Sequence, residues 1–263
     1  MPLSTHLTFV NRAIDILKDD PRIMGIAAGG SWITNVMDEF SDIDLVIVVD
    51  PECELEVSDE RLNVAGKLGN LLAGFTGEHV GEPRLIICLY GSPILHVDLK
   101  FVKLDDFGHR VEDPTILWER EKVLSVIIDK EVAVYPLPQL QWIEDRFWVW
   151  VHYVATKLGR GEVFEAIETL SFLRTTVLGP LALMKNGCFP RGMRFIERDA
   201  KEELPLFIKT IPTHDVTDCA VALKHVITLY QQLRTYHSTP ELLRRKEAEE
   251  QSIIYLNYII NKL

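Results

Sequence analysis

The chain has 263 residues, 47% of them hydrophobic and 25% charged, with a formal net charge of −11. This is the profile of one large or two small globular domains with a real core, and it excludes a disordered or low-complexity chain. No apolar run reaches the ~20 residues that span a bilayer. The start, MPLSTHLTFVNR, lacks the basic and apolar blocks of a secretory signal, so a cytoplasmic protein without a membrane partner is expected.

In chain order, Leu7, Val10, Ile14 and Leu17 recur at helical spacing behind Ser4 and Thr5, which predicts an opening amphipathic helix closed by Pro21. Residues 23–28 read as a short strand running into Gly29-Gly30-Ser31, followed by a helix-length segment. Residues 43–49 read as a buried strand stopped by Asp50-Pro51, and residues 58–74 as a helix. Residues 84–90 and 94–102, around Gly91-Ser92-Pro93, read as a hairpin, and residues 124–134 as one further strand. Beyond Pro136 and Pro138 the periodicity is helical almost to the end, with a loop at 187–191 and a last helix starting near Thr239-Pro240. The expected fold class is α+β: a mixed-sheet domain over residues 1–138, joined near 136–140 to a helical bundle over residues 139–263.

The charge divides along the same line. Residues 1–138 carry 12 Lys+Arg against 24 Asp+Glu, a net −12, and the remainder is close to neutral at +1. An acidic half disfavours a nucleic-acid partner, which needs a basic stripe; it suits cations, or equally it serves only to keep the protein in solution. Cys53, Cys88, Cys188 and Cys219 share no metal-binding spacing, so reduced thiols are expected.

Chemistry concentrates in GGSWITNVMDEFSDIDLVIVV, residues 29–49. Strand alternation places Asp42 and Asp44 on one face. Two ionised carboxylates that close repel each other, and a hard divalent cation such as Mg²⁺ between them resolves the repulsion. In ILHVDLKFV, His96, Asp98 and Lys100 share the face opposite Leu95, Val97, Leu99 and Phe101. If that strand lies beside residues 43–49, Asp98 joins the other two aspartates. Three carboxylates beside a Gly-Ser turn form a two-metal phosphoryl-transfer site, with ions about 3.5–4 Å apart. Gly30 lets the backbone approach phosphate oxygens, and Ser31 adds a hydroxyl and an N–H.

Gly30-Ser31, Asp42-Ile43-Asp44 and the later strand aspartate resemble, in order, the DNA polymerase β-like nucleotidyltransferase superfamily over roughly the first hundred residues. Residues 144–168, EDRFWVWVHYVATKLGRGEVFEAIE, are similar to the first C-terminal helix of aminoglycoside adenylyltransferases, the streptomycin 6-type in particular. The resemblance implies Mg²⁺, two ions, with ATP as co-substrate and a small-molecule acceptor. It implies Asp42, Asp44 and Asp98 as catalytic metal ligands and Gly30, Ser31 and Lys157 as nucleotide-binding residues; Glu144, at the start of that helix, reads as a substrate contact, a base or a carboxylate that complements the helix N-terminus. Monomer and homodimer both remain open. A protein-modifying, antitoxin-type nucleotidyltransferase and a non-catalytic nucleotide-binding module are the alternatives; the size of the helical half speaks against the first and the complete carboxylate set against the second.

The chain departs from that pattern at Trp32, where those enzymes tend to have arginine, and residues 186–263 match no antibiotic-binding pattern. Arg191, Arg194 and Arg198 read as a solvated face or a phosphate contact. Arg244-Arg245-Lys246 beside Glu247, Glu249 and Glu250 read as an exposed helix with i,i+4 pairs. The aromatics Trp142, Phe147, Trp148, Trp150 and Tyr153 read as core, and His96 and His152 as core or surface histidines.

Overall fold

The computed structural model describes residues 4–263 and divides into two compact units, Met1–Pro136 and Leu137–Leu263. The first unit runs α1 (Ser4–Leu17), β1 (Ile23–Ala28), β2 (Ile43–Val49), α2 (Glu54–Leu68), β3 (Asn70–Gly77), β4 (Glu82–Gly91), β5 (Leu95–Lys103), β6 (Thr115–Glu119) and α3 (Val123–Lys130). Its strands form one mixed sheet in the order β3-β4-β5-β2-β1-β6, in which only β2 and β5 pair in parallel.

Alternation along these strands sorts the sheet into two unlike faces. Ile43, Leu45 and Ile47 of β2, Val97, Leu99 and Phe101 of β5, and Ile86, Cys88 and Tyr90 of β4 are buried with Phe9, Val10, Ala13 and Leu17 of α1 and Val57, Val64, Ala65 and Leu68 of α2. On the other face a smaller cluster joins Ala27 and Val48 to Phe107 and to Leu124 of α3. Gly25 makes that packing possible, since a Cβ there would lie 2.6 Å from Leu124 Cδ2. From Asp44 outward across β5 and β4, this second face stays partly open: Leu89 and Phe75 are exposed.

Four expectations are corrected. The helix placed at 58–74 starts earlier, behind Asp50, whose carboxylate accepts a hydrogen bond from the Glu52 N–H, and it stops at Leu68; residues 70–77 pair with β4 as the edge strand. Leucine-rich text at an exposed edge carries no clean alternation, so the helical period misleads there. The strand placed at 124–134 is α3, and the strand beside β1 lies upstream at Thr115–Glu119. Between β1 and β2 there is a 3-10 turn at Gly30–Trp32 in place of a full helix. In α1, Leu7 is exposed and Phe9 and Ala13 are buried instead.

The second unit is helical: α4 (Leu140–Gly159), α5 (Val163–Leu173), α6 (Gly179–Lys185), α7 (Ile196–Asp199), α8 (Leu204–Lys209), α9 (Val216–His237) and α10 (Lys246–Ile260), with a π-helical turn at Arg174–Leu178. Phe147 stacks on Tyr230 with ring centroids 3.7 Å apart, and Trp148 meets both edge-on. Beside these rings runs a buried ionic network. Arg234 of α9 donates to Glu144 of α4 at 3.2 Å and to Glu249 of α10 at 2.8 Å. Glu144 also accepts from Tyr230 Oη at 2.5 Å, Trp148 Nε1 at 3.3 Å and the Arg245 backbone N–H at 2.9 Å. Gln231 and Arg244 also donate to Glu249, at 2.8 and 3.0 Å, and Arg245 pairs with Asp145. The 244–246 basic run is therefore a seam between α4 and α10, with α10 starting only at Lys246. Among the described residues, no helix is long and apolar enough to cross a membrane.

Removing one partner from a buried, hydrogen-bonded ion pair leaves the other charge stranded, at about 3–5 kcal/mol. Arg234→Ala should therefore lower the urea stability of the helical unit by that order, read by tryptophan fluorescence. A loss below about 1 kcal/mol would show that the network is energetically idle. A second expectation concerns acid. Arg84 grips Glu82 in a bidentate pair and, with Lys100, draws its carboxyl down to about 2 against the burial that pushes it up. The folded value lies below the ordinary one, so this stabilisation is whole above about pH 4.5 and lost as pH falls toward 2. Glu82→Gln should flatten the acid limb of the melting profile and cost about 1 kcal/mol at neutral pH, allowing for solvent screening.

Candidate functional site

The register of β2 on β5 sets Asp44 directly opposite Asp98, one strand spacing of about 4.8 Å apart. Both project from the open face because Ile43, Leu45, Val97 and Leu99 on either side of them are committed to the dry one. Asp42 stands one step before β2 and shares the face of Asp44 by alternation. It is close enough to Asp98 for their charges to interact. Burial is the main cause that pushes the Asp98 carboxyl above its ordinary range; His96 opposes the shift through its hydrogen bond and charge, and Asp42 adds to it.

The glycine turn closes on the same carboxylates. Gly29 donates its N–H to the Asp44 carbonyl at 2.9 Å. Gly30 adopts φ +57, and a Cβ built there would fall 2.0 Å from Asp44 Oδ2. The position thus needs glycine twice over, for its left-handed backbone and for the room it leaves the carboxylate. Ser31 follows in the 3-10 turn, its carbonyl accepting from the Val36 N–H. Trp32, partly buried, packs on the core beneath the sheet.

The approach to β2 is built from short-range hydrogen bonds. Ser41 Oγ accepts from the Asp38 N–H and donates to Asp38 Oδ1, and Phe40 N–H also reaches Asp38. His6 of α1, 3% exposed, binds the Ser41 carbonyl through Nε2 at 2.9 Å, while its Nδ1 is buried without a partner. No motif marks His6 in the sequence; the signal that would have found it is its place on the buried face of α1.

His96, which reads from the sequence as a core or surface histidine, is in contact with the site: Nε2 lies 3.0 Å from Asp98 Oδ1. The signal was the i,i+2 spacing that puts both on one strand face. Lys100, two residues further, is held away by Glu82 at 2.8 Å.

The structure thus brings Gly30, Ser31, Asp42, Asp44 and Asp98 together in the first unit. The other two expected residues, Glu144 and Lys157, belong to the helical unit. Glu144 is 1% exposed with both oxygens engaged in the ionic network, so a surface available to a substrate is not where it stands. Lys157, near the end of α4, pairs with Glu162 at 2.7 Å and lies over the Tyr153 ring. Arg191 lies over Phe189, and Arg194 and Arg198 over Phe195, with Arg198 also forked onto Asp199. His152 packs beside Tyr255.

Among the described residues, no three His, Cys, Asp or Glu side chains converge into a ready metal cage. The donor chemistry nevertheless fits Mg²⁺. The set is all carboxylate oxygen, and that ion uses one or two protein carboxylates, completing its shell with water and substrate phosphates.

The nucleotidyltransferase domain profile matches residues 10–149 of this chain. No curated protein matches it. Among solved structures it is similar to an aminoglycoside 6-adenyltransferase from Bacillus subtilis (16% identity, 98% of this chain and 99% of that one covered, TM-score 0.41). It is also similar to a nucleotidyltransferase-like protein from Exiguobacterium sibiricum (13%, 98% and 90%, TM-score 0.40). A third is a spectinomycin adenyltransferase from Enterococcus faecialis solved with ATP and spectinomycin (10%, 99% and 99%, TM-score 0.30).

Gly30→Ala tests the closure of the turn on Asp44. The added methyl should cost about 1–3 kcal/mol through backbone strain and the displaced carboxylate, measured by thermal melting. The same variant should bind Mn²⁺ more weakly in electron paramagnetic resonance titrations. An alanine variant that melts and titrates like the wild type would show that the turn tolerates a side chain.

Proposed function

We propose, on the premise that this chain belongs to the nucleotidyltransferase domain family, that it transfers AMP from ATP to a hydroxyl of a small molecule and releases pyrophosphate. The observation that carries this reading is the in-register facing of Asp44 and Asp98 beside a glycine turn that only glycine can make. Asp42, Asp44 and Asp98 are the residues that would hold Mg²⁺, two ions in the full reading. When bound, the metal neutralises triphosphate charge and orients the reacting oxygens. Gly30 and Ser31 offer backbone and hydroxyl to the phosphates at close range. Asp98 takes the proton from the acceptor hydroxyl. The freed oxygen attacks the α-phosphorus in line, the bond to the β-phosphate oxygen breaks, and pyrophosphate leaves with that oxygen. Such catalysis is mostly positioning and charge compensation.

For the acceptor, we infer a polycationic, aminoglycoside-like molecule. Two observations support it: the resemblance of residues 144–168 to the adenylyltransferase helix, and the net −12 of the first 138 residues, which draws cations toward this half of the chain.

The test is pyrophosphate release with Mg²⁺ and ATP across a panel of aminoglycosides and lincosamides. One acceptor should give turnover, and Asp42→Asn or Asp44→Asn should cut it by at least about 10³-fold with melting unchanged. Full activity in a folded Asp42→Asn protein would sink the assignment. Silence across the panel, with Mg²⁺-dependent ATP binding intact, would remove the antibiotic-like acceptor alone.

A further inference from the structure

Backbone pairing fixes the Cα of Asp98 on both sides, against Asp44 of β2 and Ile87 of β4. It does not fix the carboxylate, whose terminal torsion is broad and two-fold. Along β5 two positions share its face: Lys100, two residues on, is drawn off by Glu82, and His96, two residues back, sits with Nε2 3.0 Å from Oδ1. An ionised carboxylate only accepts, so the imidazole carries its proton on Nε2 and donates. On the β4 side the neighbour of His96 is Leu89, which has no polar group to offer the ring; on the β2 side the register, carried one step back from Ile43 opposite Val97, leads to Asp42, yet the ring nitrogen lies on Asp98. The imidazole side chain is 51% exposed, too open to be a packing element of the core. A hydrogen bond at this place takes one oxygen of Asp98 and leaves the other to a cation or an acceptor hydroxyl. Partners of this kind, one step out from a metal ligand, orient the ligand and are worth about 10–100-fold in metal affinity.

We propose that His96 is a positioning residue of the active site, holding the Asp98 carboxylate through Nε2–H in the orientation that binds metal and meets the acceptor; this rests on the role of Asp98 given above. It assigns function to a histidine that belongs to no motif, and it gives β5 a two-residue unit, His-x-Asp, in which the first member sets the second.

The experiment is Mn²⁺ binding followed by electron paramagnetic resonance, with α,β-methylene ATP present, for the full chain and for His96→Ala, His96→Gln and Asp98→Asn. Thermal melting is recorded for each. His96→Ala should raise the Mn²⁺ dissociation constant about tenfold with melting unchanged, and His96→Gln, whose amide can still donate, should recover most of the affinity. An alanine variant that binds Mn²⁺ like the wild type while Asp98→Asn is impaired would overturn the positioning role and leave Asp98 in place. Asp98→Asn binding like the wild type would remove the metal-ligand reading of Asp98, and the proposal with it. A glutamine variant as weak as alanine would also overturn it, because the hydrogen bond would then not be what matters.

Discussion

The carboxylate face depends on one constraint, the in-register parallel pairing of β2 with β5. Once Ile43, Leu45, Val97 and Leu99 are buried under α1 and α2, a period of two leaves Asp44 and Asp98 no choice of side. A slip of one residue in either strand would turn that strand's aspartate into an apolar core, at a cost that no local hydrogen bond offsets. The hydrophobic face thus positions the polar one. The site is an outcome of core packing as much as of the residues that line it.

Around that pairing, other contacts limit the remaining freedom. Gly30 gives Asp44 the space its carboxylate occupies, the Asp38–Ser41 hydrogen bonds shape the approach to β2, and His6 ties Ser41 to the first helix. The unequal covering of the sheet matters too. Two helices blanket one face, whereas α3 packs on the far edge of the other, on β1 and β6, and leaves the stretch from Asp44 to β4 accessible. A sheet covered equally on both sides would hold the same aspartates without access for a triphosphate.

The helical unit solves a different problem. Its long helices would pack through apolar contact alone, but Glu144, Arg234 and Glu249 thread a buried ionic network through three of them. Buried ion pairs add little net stability against apolar replacements, yet they are costly to break singly. Here the network links α4 to α9 and α10, and it engages Glu144, which reads from the sequence as a substrate contact, a base or a complement to the helix N-terminus.

Much of the first unit was legible in the residues themselves. Gly30-Ser31 behind one apolar run, Asp42 and Asp44 opening a second, and the His96-Asp98-Lys100 alternation together determined the strands, their polar faces and the chemistry that oxygen donors at that spacing support, because strand period and burial are local properties. What the sequence could not determine was partnership. That residues 70–77 form an edge strand, that residues 123–130 form a helix over Gly25, that Glu144 turns inward to Arg234, and that His6 holds Ser41 all depend on groups far apart in the chain, up to 99 positions for Gly25 and Leu124, meeting in space. Only the tertiary structure decides such meetings, since each is selected by the free energy of burying the whole core and not by the preference of any segment.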